Sequence, residues 1–144
     1  LKHSRAVGID VSKKTLLNAK INLKKFDNRV KLLLRSIEDI RNIKFDLIVS
    51  NPPYIPKREI NRLSGDIKKF EPRIALDGGN DGLDVIRKVI YKSKNILKFN
   101  GILALEIGTG QYPAVMRLLN KSNFRIRALI KDYRNNVRCI FSTL

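Results

Sequence analysis

The chain has 144 residues, of which 43% are hydrophobic, and a formal net charge of +17. That length suits one domain with its own core, and no apolar stretch approaches the length of a membrane span. A single cysteine, Cys139, excludes an internal disulfide framework, and its apolar neighbours predict a buried, inert thiol. We therefore expect a single domain over residues 1–144, located in the cytoplasm, with no membrane segment and no metal site.

The thirty basic residues are spread along the whole sequence and form no single block. A chain of this charge can attract nucleic acid, but the accompanying abundance of Lys, Ile and Asn is also what a compositional bias produces. Charge therefore leaves direct nucleic-acid binding open. The lone His3 has no catalytic partner in view and receives no catalytic role.

Apolar periodicity predicts alternating strands and helices in the first part of the chain. In order, these are a strand over residues 6–9, a helix over 13–25, and strands over 30–34 and 45–50. Asp10 ends the first strand, and Ser12 is suited to cap the helix. The stretch from residue 55 to about residue 80 is irregular and too long for a plain connection, which is typical of a functional loop.

Beyond that loop the alternation resumes. The sequence predicts a turn over residues 78–82, a helix to about residue 97, a turn at Asn100 and Gly101, a strand over 102–107, a helix over 112–120, and strands over 124–130 and 137–141. This order predicts a doubly wound α/β domain whose last two strands form an antiparallel hairpin.

The most informative segment is Asn51-Pro52-Pro53-Tyr54, which directly follows the apolar strand over residues 45–50. Proline has no N–H and a fixed φ, so this Asn-Pro-Pro-Tyr loop (residues 51–54) should leave the sheet stiff and extended. Its carbonyls and the Asn51 amide then face the crevice at the carboxyl end of the strand, where open α/β sheets bind ligands. The loop is therefore suited to holding a planar amino group.

Asp10 is a second candidate binding residue. An acidic side chain between a strand and a helix can accept hydrogen bonds from both ribose hydroxyls of a nucleotide-like cofactor. The position also suits an ordinary turn aspartate, and spacing alone gives the two interpretations equal weight. The Asn-Pro-Pro-Tyr loop further along the chain favours the cofactor.

Residues along the whole chain resemble the release factor glutamine methyltransferases, a family that uses S-adenosylmethionine. Beside the loop, the resemblance rests on four blocks: Phe70-Glu71-Pro72-Arg73-Ile74-Ala75-Leu76, Gly79-Asn80-Asp81-Gly82-Leu83, Leu105-Glu106-Ile107-Gly108 with Gln111, and Asp132-Tyr133-Arg134-Asn135-Asn136-Val137-Arg138. The loop alone is shared with adenine methyltransferases that act on DNA or RNA. The whole set in this order is specific to the narrower family.

The resemblance implies a Rossmann-like class I S-adenosylmethionine-dependent methyltransferase fold. It also implies methylation of the glutamine side-chain amide in the Gly-Gly-Gln loop of peptide chain release factors. Asn51 would hold that amide and help to line the cofactor site, and the Pro52 carbonyl would accept the second amide hydrogen. Tyr54 would pack on the planar amide next to Pro53, and Asp10 would bind the cofactor ribose.

Two departures from the family pattern accompany the resemblance. The first strand, glycine-rich loop and first helix of the family have no counterpart here, so we expect an incomplete fold, truncated at its amino end. Where the family has a short acidic or amide residue followed by an aromatic residue against the adenine, this chain has Ile37 and Glu38. We expect an unpaired sheet edge and little or no binding of S-adenosylmethionine by the isolated chain.

Three alternatives stay open at this point. Gly108-Thr109-Gly110 imitates a glycine-rich cofactor loop in permuted order, although Tyr112 occupies the place of a third glycine. An adenine methyltransferase acting on DNA or RNA would suit the basic charge. A catalytically inactive remnant that binds a translation partner through its basic surface would suit the missing glycine-rich loop.

Overall fold

The computed structural model describes residues 3–26 and 29–144, with Lys25 described by its backbone only. Internal packing divides the chain into two compact units, Leu1–Arg41 and Asn42–Leu144. The assignment of residues 1–144 to one catalytic domain stays a prediction.

The first unit contains two parallel strands and a helix between them. Strand β1 (Ala6–Asp10) pairs with β2 (Val30–Leu34) in the register Ala6 to Val30 through Asp10 to Leu34. Helix α1 (Lys13–Asn22) starts where predicted, with Ser12 as its cap. It ends earlier than the predicted residue 25, because Leu23–Phe26 tightens into a 3-10 turn.

The apolar side chains of the first unit are poorly covered. Leu17 and Ile21 on α1 are 55% and 62% exposed, and Leu34 on β2 is 55% exposed. Helix α1 buries none of its residues. A two-stranded sheet is marginally stable by itself, and α1 adds little because none of its side chains is buried.

The second unit is built on a four-stranded mixed sheet in the order β3-β4-β6-β5. Strand β3 (Phe45–Ser50) runs parallel to β4 (Leu97–Glu106), as predicted for consecutive strands joined through a helix. Strands β5 (Arg125–Lys131) and β6 (Val137–Thr143) form the predicted antiparallel hairpin, and β6 inserts next to β4.

Five helices accompany this sheet in the described part of the second unit. They are α2 (Lys57–Ile60), α3 (Gly65–Phe70), α4 (Arg73–Leu76), α5 (Asp84–Ile96) and α6 (Tyr112–Lys121). Helices α5 and α6 are strongly amphipathic and occupy the predicted places. The three short helices lie within the stretch expected to be irregular. None of the described helices is long and apolar enough to cross a membrane.

The core of the second unit lies between the central strand β4 and helices α5 and α6. Its largest side chains with no more than 1% exposure are Ile86, Ile90, Leu103, Leu105, Ile107, Val115, Leu119 and Ile140. Cys139 is a free cysteine of intermediate burial on β6, so the expectation of a fully buried thiol is wrong. It alternates with buried Ile140, because successive side chains on a strand point to opposite faces.

Strand β3 forms an edge of the larger sheet and keeps apolar side chains in solvent. Leu47 is 45% exposed and Val49 is 73% exposed. Among the described residues, no strand pairing joins β3 to the two-stranded sheet of the first unit. This matches the expected incomplete α/β fold with an unpaired sheet edge.

Candidate functional site

The Asn-Pro-Pro-Tyr loop begins directly where β3 ends, at Ser50. It has no helix or strand of its own, because neither proline can donate a backbone hydrogen bond. Pro52 is buried, Pro53 and Tyr54 are partly buried, and Asn51 is exposed. The loop therefore presents its polar groups at the carboxyl end of a parallel strand, as the sequence predicts.

Backbone hydrogen bonds fix the far end of this loop. The Ile55 N–H donates to the Leu76 carbonyl at 3.0 Å, and the Ile55 carbonyl accepts from the Gly78 N–H at 2.9 Å. The Lys57 N–H donates to the Gly79 carbonyl at 2.8 Å. The long stretch between the loop and α5 thus folds back and ties the chain after Tyr54 in place.

A cavity of about 310 Å³ lies against the loop. Its lining residues are Asn51, Pro52, Pro53, Tyr54, Ile55, Glu71, Ala75 and Leu76. The cavity brings together all four residues of the loop and three residues of the block over positions 70–76. We call it the amide cavity. Its volume is at the small end of the range for ligand sites, which suits one side chain rather than a large ligand.

Two hydrogen-bond acceptors in this cavity are available to a ligand. Within the described residues, neither the Pro52 carbonyl nor the Asn51 side chain receives a hydrogen bond from another protein group. A buried carbonyl without a donor is costly unless a ligand or water supplies one. A primary amide has two N–H hydrogens, which match two acceptors in number.

The Tyr54 backbone is held by the side-chain amide of Gln111, which precedes α6. Gln111 Nε2 donates to the Tyr54 carbonyl at 2.9 Å and to the Gly82 carbonyl at 3.2 Å. Gln111 Oε1 accepts from the Gly108 N–H at 2.8 Å. One partly buried side chain therefore joins three loops that are far apart in sequence.

Two glycines make room for this arrangement. Gly82 has φ +77°, and a Cβ there would overlap the Tyr54 carbonyl oxygen. A Cβ on Gly108 would lie 2.9 Å from Gln111 Oε1 and 3.0 Å from Tyr54 Cδ2. Gly108 therefore supports the Asn-Pro-Pro-Tyr loop, because its N–H donates to Gln111 and its missing side chain leaves room for the Tyr54 ring. This arrangement argues against the cofactor role that residues 108–110 would have in a permuted chain.

The Tyr54 side chain is contacted by Arg138 from β6. Arg138 Nη2 donates to Tyr54 Oη at 3.0 Å, and the guanidinium carbon lies 5.4 Å from the ring centroid. The side chains line a second cavity of about 440 Å³. Sequence reasoning gave Arg138 no role, although it closes the block over positions 132–138 that carried the resemblance.

A charged turn precedes α5, and its residue Asp81 lines the larger cavity together with Tyr54. Arg87 bonds Asp81 through two of its nitrogens and contacts Asp84 at 2.9 Å. Hydrogen bonding to Arg87 lowers the pKa of Asp81 to about 2. The ionised Asp81 also accepts from the Leu83 N–H at 3.1 Å, which stabilises the turn that carries Gly82.

Asp10 lies in the first unit, at the carboxyl end of β1. Its Oδ1 accepts from the Ser12 N–H at 2.7 Å, and no donor from the described residues reaches Oδ2. A carboxylate has about four acceptor positions, so most of them are free for a diol such as a ribose. The hydrogen bond within the turn therefore leaves Asp10 with acceptor positions that suit the predicted cofactor role.

Ile37 and Glu38 occupy the place where the family pattern is broken. They lie in the 3-10 turn Ile37–Asp39, in which the Ser36 N–H donates to Asp39 Oδ2 at 3.1 Å. The predicted departure in adenine contact stays a prediction. No group of three or more metal-binding side chains occurs among residues 3–26 and 29–144.

Comparison with known proteins gives a consistent assignment. The family model of the Eco57I restriction-modification methylase matches residues 4–131. The release factor glutamine methyltransferase of Geobacter sulfurreducens is 38% identical over 125 residues, covering 86% of this chain and 44% of the relative. The enzyme of that name from Clostridium acetobutylicum is 39% identical over 140 residues, covering 92% of this chain and 48% of the relative.

A solved structure supports the fold. The S-adenosylmethionine-dependent methyltransferase of Clostridium acetobutylicum aligns with a TM-score of 0.64 at 11% identity, covering 98% of this chain and 75% of that one. These matches confirm the predicted fold class and the resemblance to the release factor glutamine methyltransferases. The chain spans a little under half the length of the two curated relatives, which agrees with the expected partial match.

Proposed function

The chain belongs to the methylase family described by the Eco57I restriction-modification methylase model, and from this premise we propose that it forms the amide-binding part of an S-adenosylmethionine-dependent protein-glutamine methyltransferase acting on peptide chain release factors. The observation that carries the proposal is the amide cavity, with its two unengaged acceptors on Asn51 and Pro52. The names of the curated relatives support the substrate.

The chemistry explains why two fixed acceptors matter. The nitrogen of a carboxamide is a poor nucleophile because its lone pair is delocalised into the carbonyl. If Asn51 Oδ1 and the Pro52 carbonyl each accept one amide hydrogen, the amide is held in a single orientation with its nitrogen facing the methyl donor. Positioning and preorganised dipoles of this kind each contribute several kcal/mol to catalysis.

The rest of the loop supports that orientation. Tyr54 supplies a flat surface against the planar amide, and Pro53 keeps the backbone between the acceptors and Tyr54 rigid. After transfer, the methylated nitrogen loses one of its hydrogens as a proton to water, because the carbonyl oxygens that oriented the amide are too weakly basic to keep it. This mechanism requires no histidine base.

S-adenosylmethionine supplies an activated, electrophilic methyl group when bound. The name of the matched solved methyltransferase includes this cofactor, which supports the predicted cofactor for this chain. Asp10 would hold its ribose through the free carboxylate oxygen, and the exposed Asn51 would help to line the cofactor site. Both roles are part of the proposal.

The test uses the protein translated from the complete reading frame that contains this chain. It is incubated with isotopically labelled S-adenosylmethionine and a release factor, and the label is located by mass spectrometry of peptides. We expect one methyl group on the glutamine of the Gly-Gly-Gln loop and none on a release factor in which that glutamine is replaced by alanine. Adenine-containing DNA and RNA are offered in parallel.

Methylation of DNA or RNA adenine without methylation of the release factor would overturn the substrate assignment. It would favour the adenine methyltransferase alternative, which the family model's name also suits. No methylation of any substrate would favour the inactive remnant.

A further inference from the structure

Arg138 contacts Tyr54 in two ways at once. It donates a hydrogen bond to the phenol oxygen at 3.0 Å, and its guanidinium carbon lies 5.4 Å from the centre of the same ring. A planar guanidinium can bond an oxygen at its edge while lying against an aromatic surface. A lysine ammonium on its flexible stem does not reproduce both contacts.

The guanidinium is itself held in place by two other groups. Arg138 Nη1 donates to Thr109 Oγ1 at 3.2 Å, and Nη2 lies 3.6 Å from Glu106 Oε1. The Arg138 side chain is only 25% exposed, so water competes weakly for these contacts. The backbone of Arg138 is also fixed, because its carbonyl accepts a hydrogen bond from the Ile107 N–H at 2.9 Å.

The two cavities place Arg138 on one side of Tyr54. Tyr54 lines both the amide cavity and the larger cavity of about 440 Å³, whereas Arg138 lines only the larger one. The guanidinium therefore holds the ring from the larger cavity and leaves the amide cavity free for a substrate.

We propose that Arg138 is a positioning residue that sets the orientation of the Tyr54 ring for methyl transfer. The inference rests on the proposed function, since it assumes that Tyr54 packs on the substrate amide. A ring already held in its working orientation costs no further conformational entropy when the substrate amide is aligned. Arg138 acts through Tyr54 and not on the substrate itself.

A double-mutant cycle on the complete protein tests the coupling. Arg138→Lys is expected to lower kcat about tenfold when Tyr54 is present, because lysine cannot keep both contacts of the guanidinium with the Tyr54 side chain. In the Tyr54→Phe background, the same change should cost less than about threefold, because the hydroxyl that Arg138 holds is already gone.

Arg134→Lys provides a matched control, since it makes the same change at an exposed arginine of the same block that lines neither cavity. Combined with Tyr54→Phe, its small loss should be additive. If the losses of Arg138→Lys and Tyr54→Phe also multiply independently, Arg138 is merely structural and the inference falls.

A second readout does not depend on the substrate. With carbon-13-labelled tyrosine, the Tyr54 ring signals should shift and broaden differently in Arg138→Lys and stay unchanged in Arg134→Lys. If the wild-type protein methylates no release factor but the ring signals respond in this way, the proposed function fails and the positioning contact stands. Methylation with unchanged ring signals in Arg138→Lys would overturn the positioning role alone.

Discussion

Asn51 is exposed at the end of β3, yet it has a side-chain amide that no described protein group satisfies. In the proposed mechanism it contributes one of the two acceptors that orient the substrate amide. Its contribution therefore concerns geometry in the transition state more than the stability of the fold.

We expect Asn51→Ala in the complete protein to lower kcat by about 10²-fold or more, which is the effect of removing one preorganised polar group from a catalytic site. The free energy of unfolding should change little, because the side chain is exposed. The matched control is Asn61→Ala, which removes an exposed asparagine amide at the end of α2 and should keep full activity. Full methylation of the release factor by Asn51→Ala would refute the assignment.

Gln111 acts on the structure of the site through its amide nitrogen and oxygen. In Gln111→Glu, an ionised carboxylate would replace the nitrogen that donates to the Tyr54 and Gly82 carbonyls. We expect a loss of about 1–3 kcal/mol in the free energy of unfolding, because acceptors then face acceptors in a partly buried place. Urea denaturation near neutral pH measures this loss.

The pH dependence of the same variant supplies its control. Acid that protonates the introduced carboxyl restores one donor, so the stability gap between Gln111→Glu and wild type should narrow at low pH. The isosteric Gln111→Met, which has no titrating group, should keep a constant gap. An unchanged midpoint in Gln111→Glu at neutral pH would contradict the role of the amide as a tie between loops.

Electrostatic attraction between Asp81 and Arg87 contributes to the stability of the turn before α5, and this contribution depends on pH. The folded-state pKa of Asp81 is lowered to about 2 by Arg87. A carboxyl with a depressed pKa stabilises the folded state above its unfolded value and loses that contribution as the pH falls through the folded one. The contribution is therefore present above about pH 4 and is lost between about pH 4 and pH 2.

We expect Asp81→Asn to be less stable than wild type near neutral pH by under about 1 kcal/mol, since both partners are largely exposed. The difference should close as the pH falls from about 4 to about 2. Because exposed pairs are screened, 1 M salt at neutral pH should also shrink it. A gap that stays constant across this range of pH would show that the charge of Asp81 contributes nothing to the stability of the turn.

The order of strands and helices could be predicted from apolar periodicity, but two kinds of detail could not. Asn100 and Gly101 have the composition of a turn, yet they lie inside β4, which starts at Leu97 directly after α5. The predicted turn is present as a bulge within β4, because Asn100 adopts φ 59° where the pairing with β3 passes from Leu97 directly to Ile102. Helices α2, α3 and α4 are too short to show a helical repeat.

The candidate site shows the same division. The apolar strand followed by two prolines predicted that Asn51, Pro52 and Tyr54 lie at one site, because the stiffness of the loop can be read from the sequence. The contacts of Gln111 and Arg138 with Tyr54 span 57 and 84 positions. Such long-range partners depend on strand order and register, so no local pattern in one sequence could predict them.

At the scale of the whole molecule, the residues of the proposed mechanism are unevenly distributed. The second unit contains a well-packed core and the Asn-Pro-Pro-Tyr loop, whereas the first unit contains Asp10 and few buried side chains. The chain spans a little under half the length of the curated relatives. The acceptor for the substrate is thus better defined here than the site for the cofactor.

The small number of proposed cofactor-binding residues predicts that residues 1–144 alone bind S-adenosylmethionine weakly. Micromolar binding corresponds to about −8 kcal/mol, and association itself costs about 4–15 kcal/mol in lost freedom. Charge-assisted hydrogen bonds from a ribose to Asp10 contribute about 1.5–3 kcal/mol each. Two such bonds do not offset the cost of association and also supply the free energy of micromolar binding. Calorimetric titration of the isolated chain with S-adenosylmethionine should therefore show little or no heat of binding, while the full-length relative from Geobacter sulfurreducens serves as the positive control. Micromolar affinity in the isolated chain would show that residues 3–26 and 29–144 contain more of the cofactor site than Asp10 and Asn51.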